Sequence, residues 1–112
     1  MALSPLSLMV DEEYIEGAVI YEGLKIKDYY PAGIFVDEYI GVIGLLATVA
    51  LKPLDDFIIM RKTGKWYLII PLFNNRVLVL IFKGDLKKGD VTEFSENILR
   101  SLNMLASLSS KV

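Results

Sequence analysis

The sequence contains neither cysteine nor histidine among its 112 residues. The absence of cysteine excludes disulfide bonds, thiolate metal sites and cysteine nucleophiles. Because histidine is absent as well, one chain cannot assemble the usual zinc ligand sets, a serine–histidine–aspartate triad or histidine acid–base catalysis. We therefore expect a protein that is not an enzyme and that carries no metal or cofactor.

The chain also lacks a large excess of charge of one sign and a long apolar run. Its 12 basic and 14 acidic residues give a formal net charge of −2, which provides no electrostatic footprint for nucleic acid or anionic lipid. The longest apolar stretch, residues 39–51, is too short to span a bilayer. The N-terminal residues MALSPLSLMVDEE lack a basic region, which is untypical of a signal peptide. We expect a soluble, cytoplasmic protein with no nucleic-acid partner and no membrane span.

A chain of 112 residues has the size of one domain with a single core. Residues 1–13 follow no clean period and end in the acidic run DEE, so we expect a loose arm or a short, imperfect helix there. The domain itself is expected to occupy residues 14–112. Solvated carboxylates explain this run, and the acidic pair at 55–56, better than a calcium site, which needs more ligands in a loop with glycine.

Five segments have the composition of β-strands. Residues 15–21 and 24–30 are rich in β-branched and aromatic side chains and flank Glu22-Gly23, a two-residue hairpin signal. Three further runs follow: FIIMR at 57–61, WYLII at 66–70 and VLVLIF at 77–82. The dipeptides Thr63-Gly64 and Asn74-Asn75 are turn signals between them. The last run is continuously apolar, which is typical of a central strand covered on both faces.

Two segments are predicted to be helices. Residues 37–51 read DEYIGVIGLLATVAL, and Pro53 ends the segment. In residues 91–108 an apolar face is formed by Phe94, Ile98, Leu102 and Leu105. Asp90 and Glu93 have the spacing of a capping box, which predicts that the second helix begins just after Asp90.

The helix at residues 37–51 is apolar on almost every side. A surface helix shows one apolar stripe to one core, so this helix must be covered on more than one side. A domain of this size supplies only one such cover. The second cover is expected to be another copy of the chain or a partner protein, so this helix is the best clue to function.

The small and polar residues of this helix form a single strip, with steps of four, three and four residues. The candidate partner-binding residues of this strip are Asp37, Gly41, Gly44 and Thr48. Glycine inside a helix costs about 1 kcal/mol relative to alanine, so two of them call for a compensating contact. The strip is either a close-approach seam for a second copy or another protein, or it faces solvent or the chain's own core.

Two further features favour surface roles over chemistry. The chain has only three arginines, Arg61, Arg76 and Arg100, and nothing in their surroundings supports an arginine finger for a GTPase. The glycines and lysines of residues 83–89 match neither the Walker loop nor the dinucleotide motif, so we interpret this segment as a loop between strand and helix.

The predicted order of elements is β-β-α-β-β-β-α. This order, the hairpin GAVIYEGLKI, the apolar helix and the stretch KWYLIIPLFNNRVLVLIF together resemble the roadblock/LC7 family, which is related to longin domains, in its single-domain archaeal or bacterial type. The resemblance covers about residues 14–108. It implies an α+β fold in which a five-stranded antiparallel sheet carries a central and a C-terminal helix. Many members begin with a full helix, and the Pro-containing arm of this chain departs from that pattern.

The resemblance also implies a function as a non-enzymatic interaction module. Roadblock-like proteins typically form homodimers or heterodimers, and they scaffold or regulate small Ras-like GTPases or link subunits of larger complexes. The implied partners are a second copy or a paralogous roadblock protein, and a small Ras-like GTPase. Two alternatives stay open: a small-molecule-sensing domain of the PAS or profilin-like kind, and a structural adaptor subunit of a larger complex.

In the resembling fold the strand at residues 57–61 lies at a sheet edge. An apolar edge is an aggregation liability unless it is covered or paired. Pairing two copies of this edge would make one continuous sheet and bring the two central helices together. The predicted dimer interface comprises Ile40, Ile43, Ala47, Phe57, Ile58, Ile59, Met60 and Arg61.

Overall fold

The fold is that of a computed structural model, which describes residues 5–11, 13–34 and 36–110. In chain order the elements are a 3₁₀ helix (Pro5–Leu8), β1 (Ile15–Glu22), β2 (Lys25–Tyr30), α1 (Glu38–Ala50), β3 (Ile58–Lys62), β4 (Lys65–Pro71), β5 (Arg76–Phe82) and α2 (Lys88–Ser110). Residue 12 of the predicted acidic run, the outer ends of the predicted arm and domain, and the side chain of Leu105 lie outside the described part. Within that part, neither α-helix is long and apolar enough to cross a membrane.

The five strands form one sheet with the spatial order β2-β1-β5-β4-β3, and every neighbouring pair is antiparallel. The predicted α+β class, with a five-stranded antiparallel sheet and two helices, is confirmed. The continuously apolar run forms β5 at the centre of the sheet, where Val77–Phe82 is buried throughout. A strand covered on both faces needs apolar side chains at successive positions, which explains why this run does not alternate.

The helices cover opposite faces of the sheet, so the molecule has three layers. The buried core on the α1 face consists of Val19, Tyr21, Ile40, Ala47, Tyr67, Ile69, Val77, Val79 and Ile81. The buried core on the α2 face consists of Leu6, Ile15, Ala18, Leu54, Leu68, Ile70, Leu78, Leu80, Phe82 and Val91. Successive residues of β4 and β5 alternate between the two cores, as the pleat of a strand requires.

Short turns connect the strands where the sequence places turn residues. Thr63 and Gly64 both have a left-handed backbone, with φ of 51° and 76°, and Asn74 and Asn75 have φ of 61° and 62°. Both turn predictions are therefore confirmed. The first hairpin differs by one residue, because the turn consists of Gly23, with φ of 63°, and Leu24 instead of Glu22-Gly23.

The described part of the N-terminal arm packs on the domain. Leu6 in the 3₁₀ helix is 4% exposed and belongs to the core of the α2 face. The backbone N–H of Asp11 donates a hydrogen bond of 3.0 Å to the carbonyl of Ile15, which ties the end of the arm to the start of β1. An apolar side chain in the core and this hydrogen bond hold the segment against the sheet.

The capping box predicted at Asp90 and Glu93 is wrong. The N–H of Val91 donates to the carbonyl of Lys87 at 3.1 Å, so α2 begins at Lys88 and Asp90 lies inside its first turn. Val91 is fully buried in the core of the α2 face. Burial of this side chain is consistent with the earlier start of the helix, which the local spacing of two acidic residues did not reveal.

Candidate functional site

The inner side of α1 packs closely on the sheet through its two glycines. A Cβ atom at Gly41 would lie 3.2 Å from Cε1 of Tyr21, and one at Gly44 would lie 3.3 Å from Cγ1 of Val77. Both glycines are buried. The strip is therefore a close-approach seam between α1 and the chain's own sheet, and its interpretation as exposed partner-binding surface is wrong for Gly41 and Gly44.

Asp37 and Thr48, the two polar residues of the predicted strip, form hydrogen bonds with backbone groups of α1. Asp37 is the N-cap residue, and its Oδ1 accepts a hydrogen bond of 2.8 Å from the N–H of Tyr39. The Oγ1 of Thr48 donates to the carbonyl of Leu45 at 2.6 Å. Both contacts satisfy local hydrogen-bonding groups of the helix.

Two residues of the predicted dimer interface also belong to the inner side. Ile40 is 0% exposed and Ala47 is 1% exposed, and both lie in the core of the α1 face. A side chain that is already buried by its own sheet has no surface left for a second copy, so the prediction is wrong for these two residues. Ile43, beside them, is half-buried and packs against the same core.

The outer side of α1 carries an exposed apolar stripe. It consists of Tyr39 (51% exposed), Val42 (45%), Leu46 (59%) and Val49 (84%), which we call the α1 stripe. Steps of three, four and three residues place these side chains along one line of the helix, opposite the glycines. The sequence indicated that α1 has a second apolar side in need of a cover. It did not show which residues form that side, because apolar residues surround the helix.

The edge strand β3 borders the start of this stripe. Among the described strands, β3 pairs only with β4, so its outer side is an unpaired edge. The ammonium Nζ of Lys62, at the end of β3, lies 2.9 Å from Oδ1 of Asp37 and 4.4 Å from the centre of the Tyr39 ring. The hydrogen bond from Lys62, together with that from the Tyr39 N–H, lowers the pKa of the Asp37 carboxyl, so Asp37 stays charged.

The two edges of the sheet differ in how they are protected against pairing. β2 carries Lys25 and Lys27, and its register with β1 is interrupted by a bulge opposite Ile20 and Tyr21. In β3 the residues Ile58–Met60 are apolar, and the register with β4 is continuous. Lysine side chains and bulges are devices that prevent edge pairing. In β3 the charged residues Arg61 and Lys62 lie at the end of the strand, so the apolar residues Ile58–Met60 form an edge segment without these devices, next to the α1 stripe.

The other residues predicted at this edge divide between the two faces. Ile58 and Met60 pack against the core of the α1 face, whereas Phe57 and Ile59 pack against the core of the α2 face, and all four are half-buried. Arg61 is exposed, and its guanidinium donates to the carbonyl of Gly84 at 2.9 Å and lies 5.0 Å from the centre of the Trp66 ring. These contacts tie the end of β3 to the loop before α2.

The loop between β5 and α2 is held in place by hydrogen bonds, as expected for a connection between a strand and a helix. The Nε1 of Trp66 donates to the carbonyl of Leu86 at 2.9 Å. A Cβ atom at Gly84 would lie 1.7 Å from the carbonyl oxygen of Gly64, so only glycine fits there. In the described ranges, no group of three or more acidic side chains lies close enough together to hold a metal ion.

Comparison with known proteins adds no relative: no protein-family model matches the sequence, and no curated protein sequence matches it. The case for function therefore depends on the surface formed by the α1 stripe and the β3 edge.

Proposed function

We propose that the chain is a non-enzymatic interaction module of the roadblock/LC7 type, which forms a homodimer and scaffolds or regulates a small Ras-like GTPase. The observation that supports the dimer is that the exposed α1 stripe begins beside the β3 edge, where Lys62 meets Tyr39, and that Ile58–Met60 of this edge are apolar. If the β3 strands of two copies paired edge to edge, the two α1 stripes would come together and be removed from water. The GTPase enters through the resemblance alone, and resemblance of fold is an associative argument for function.

The symmetry of an antiparallel pair limits the possible registers of the two β3 strands. In an antiparallel pair, two directly opposed side chains lie on the same face of the sheet. A two-fold axis normal to the sheet must therefore pass midway between one residue and its own copy on the other strand. With Ile59 opposite its own copy, Ile58 faces Met60 and Asp56 faces Lys62. Moving the axis to Ile58 instead would place Asp56 opposite Met60. That register would also place Asp55 opposite Arg61, so each register forms one pair of opposite charges. The register centred on Ile59 is favoured because it opposes the apolar residues Ile58–Met60 only to one another.

A single cysteine at the centre of β3 is expected to cross-link the dimer. In the favoured register the Cα atoms of two copies of residue 59 would be about 4.5–5.5 Å apart, within the range of a disulfide. Two copies of residue 58 or of residue 60 would be about 8 Å apart, beyond that range. Because the chain has no cysteine of its own, Ile59→Cys under mild oxidation should give a reducible dimer on a denaturing gel.

The matched controls for this experiment are Ile58→Cys and Met60→Cys, which are expected to remain largely uncross-linked. Faster cross-linking of either control than of Ile59→Cys would show a different register. If none of the three variants cross-links at concentrations at which the native chain is dimeric, β3 is not the paired edge.

The GTPase proposal is tested by calorimetry against the small Ras-like GTPases of the same organism. Each GTPase is loaded with GDP and, separately, with a non-hydrolysable GTP analogue. We expect the dimer to bind at least one GTPase and to distinguish its two nucleotide states. Absence of binding in both states for every GTPase would remove this part of the proposal and leave a dimeric adaptor for another partner.

A further inference from the structure

A cavity lies on the face of the sheet opposite α1, between the N-terminal arm and α2. Its volume is about 390 Å³. The floor is formed by Ile15 and Leu80 of the sheet, and the walls include Met9 from the arm and Ile98 and Leu102 from α2. We call this space the arm cavity. It is separate from the α1 stripe and the β3 edge.

The arm cavity lies where the described elements leave this face of the sheet incompletely covered. Five strands spaced about 4.8 Å apart make a face roughly 19 Å wide, and one helix with its side chains covers about 10 Å of it. Among the described elements, α2 has 23 residues, whereas the 3₁₀ helix beside it has four. One helix and one short turn leave a gap over β1 and β5, and Ile15 and Leu80 form the floor of this gap.

The lining of the arm cavity suits an apolar molecule with a polar end. Aromatic surface lies on one side, where the rings of Tyr14 and Phe94 are 4.6 Å apart between their centres. The polar lining residues are Asp11, Asn97 and Ser101. A few polar groups in an otherwise apolar pocket are typical of small-molecule sites, where they fix the orientation of the ligand.

The charge of the lining selects among ligands. None of the described residues that line the cavity is lysine or arginine, and its one charged member is Asp11. Burial raises the pKa of the Asp11 carboxyl, but the backbone N–H groups of Tyr14 and Ile15 that it accepts hydrogen bonds from outweigh burial and lower that pKa. The nearby Lys83 ammonium, which is outside the lining, also lowers this pKa. As the only charge within the lining, the Asp11 carboxylate favours a hydrogen-bond donor over an anion.

We propose that the arm cavity binds a small apolar molecule whose polar end is a protonated amine or an uncharged hydrogen-bond donor. At roughly 30 Å³ for each water-sized group, the cavity holds about a dozen non-hydrogen atoms. A ten-carbon chain with one terminal polar group has this size. Fatty acids of the same length lie outside the proposed ligand class, because their carboxylate would face Asp11.

The test is displacement of N-phenyl-1-naphthylamine, a neutral dye that fluoresces in apolar sites, from the native chain at neutral pH. The three competitors are decylamine, decanol and decanoate, which share the chain and differ in the end group. Decylamine and decanol are expected to displace the dye, and decanoate is expected to do so much less well. Displacement by decanoate as strong as that by decylamine would overturn the proposal.

Two variants locate the site. Ile98→Trp fills the cavity from α2 and should abolish specific dye binding, whereas Arg100→Trp adds the same side chain at an exposed position of α2 outside the lining and should leave it unchanged. Asp11→Asn keeps an oxygen that accepts the backbone hydrogen bonds but removes the charge. This variant should bind decylamine about two- to fivefold more weakly than the native chain and should bind decanol equally well.

Dye binding that Ile98→Trp leaves intact would contradict the proposal, whatever the competitors do. A Leu46→Arg chain provides the comparison with the other apolar surface of the molecule. Binding that is lost in Leu46→Arg and kept in Ile98→Trp would place the dye on the α1 stripe. The outcome is independent of dimerisation, because the arm cavity lies on the opposite face of the sheet.

Discussion

A Leu46→Arg chain is expected to fold normally and to remain monomeric at concentrations at which the native chain is a dimer. Leu46 lies near the middle of the α1 stripe and is exposed in one chain, so the substitution removes no contact from the core. In the proposed dimer it would place two cations within the apolar seam between the two α1 helices. Central interface residues contribute about 2 kcal/mol or more, which corresponds to at least a roughly 30-fold weaker association.

Sedimentation equilibrium gives the mass of this variant, and thermal unfolding shows that the fold is retained. The matched control is Met104→Arg, because Met104 is also an exposed apolar residue of a helix but lies on α2, across the sheet from the α1 stripe. Met104→Arg should remain dimeric. A dimeric Leu46→Arg chain, or equal dissociation of both variants, would show that the α1 stripe is not the association surface.

Gly44→Arg is expected to prevent folding, in contrast to Leu46→Arg on the other side of the same helix. The new side chain would begin 3.3 Å from Val77 and would have to lie between α1 and the sheet. An uncompensated buried charge costs about 3–5 kcal/mol, and overpacking of the core adds to that cost. Because small domains have a free energy of unfolding of about 5–15 kcal/mol, this one change removes a large part of it.

Circular dichroism and urea unfolding measure the effect, and Gly89→Arg is the matched control. A Cβ atom at Gly89, in the first turn of α2, meets nothing within 4 Å. Gly89→Arg replaces glycine in a helix without a clash, so it should be neutral or stabilising by up to about 1 kcal/mol. A Gly44→Arg chain as stable as the native protein would mean that Gly44 does not face the sheet.

The strands could be predicted well from the sequence because their signals are local. Runs of β-branched and aromatic residues place the predicted strands at 57–61 and 77–82 within one residue of β3 and β5. The turn dipeptides Thr63-Gly64 and Asn74-Asn75 mark sites where the backbone takes positive φ. The unbroken apolar run of β5 correctly indicated its central position, because only a strand covered on both faces excludes polar residues from both sides.

The orientation of α1 could not be predicted because it depends on which side of the helix meets the sheet. An amphipathic helix reveals its inner side, but α1 is apolar around most of its circumference. The glycines were the informative residues, and their small size permits contact with either a partner or the chain's own sheet. Tyr21 and Val77 occupy the space beside them, and these residues are distant in the sequence.

The association surface that we propose combines an expectation from the sequence with a correction from the structure. The half of it that belongs to β3 follows from an apolar edge strand, and the resemblance to roadblock proteins indicated which strand this would be. On α1 the sequence prediction named Ile40 and Ala47, which are buried against the sheet, whereas Leu46 and Val49 are the exposed apolar residues. Once the glycines are assigned to the sheet, the helical period alone identifies the opposite residues as the exposed stripe.

The proposed association of two copies, on which the pairing of the β3 edges and the α1 stripes depends, can be measured as the mass of the native chain in solution. Sedimentation equilibrium at tens of micromolar protein measures this mass without a tag or a partner. A homodimer has twice the 12.6 kDa of one chain, and this is the mass that we expect. A mass of 12.6 kDa throughout that concentration range would contradict it.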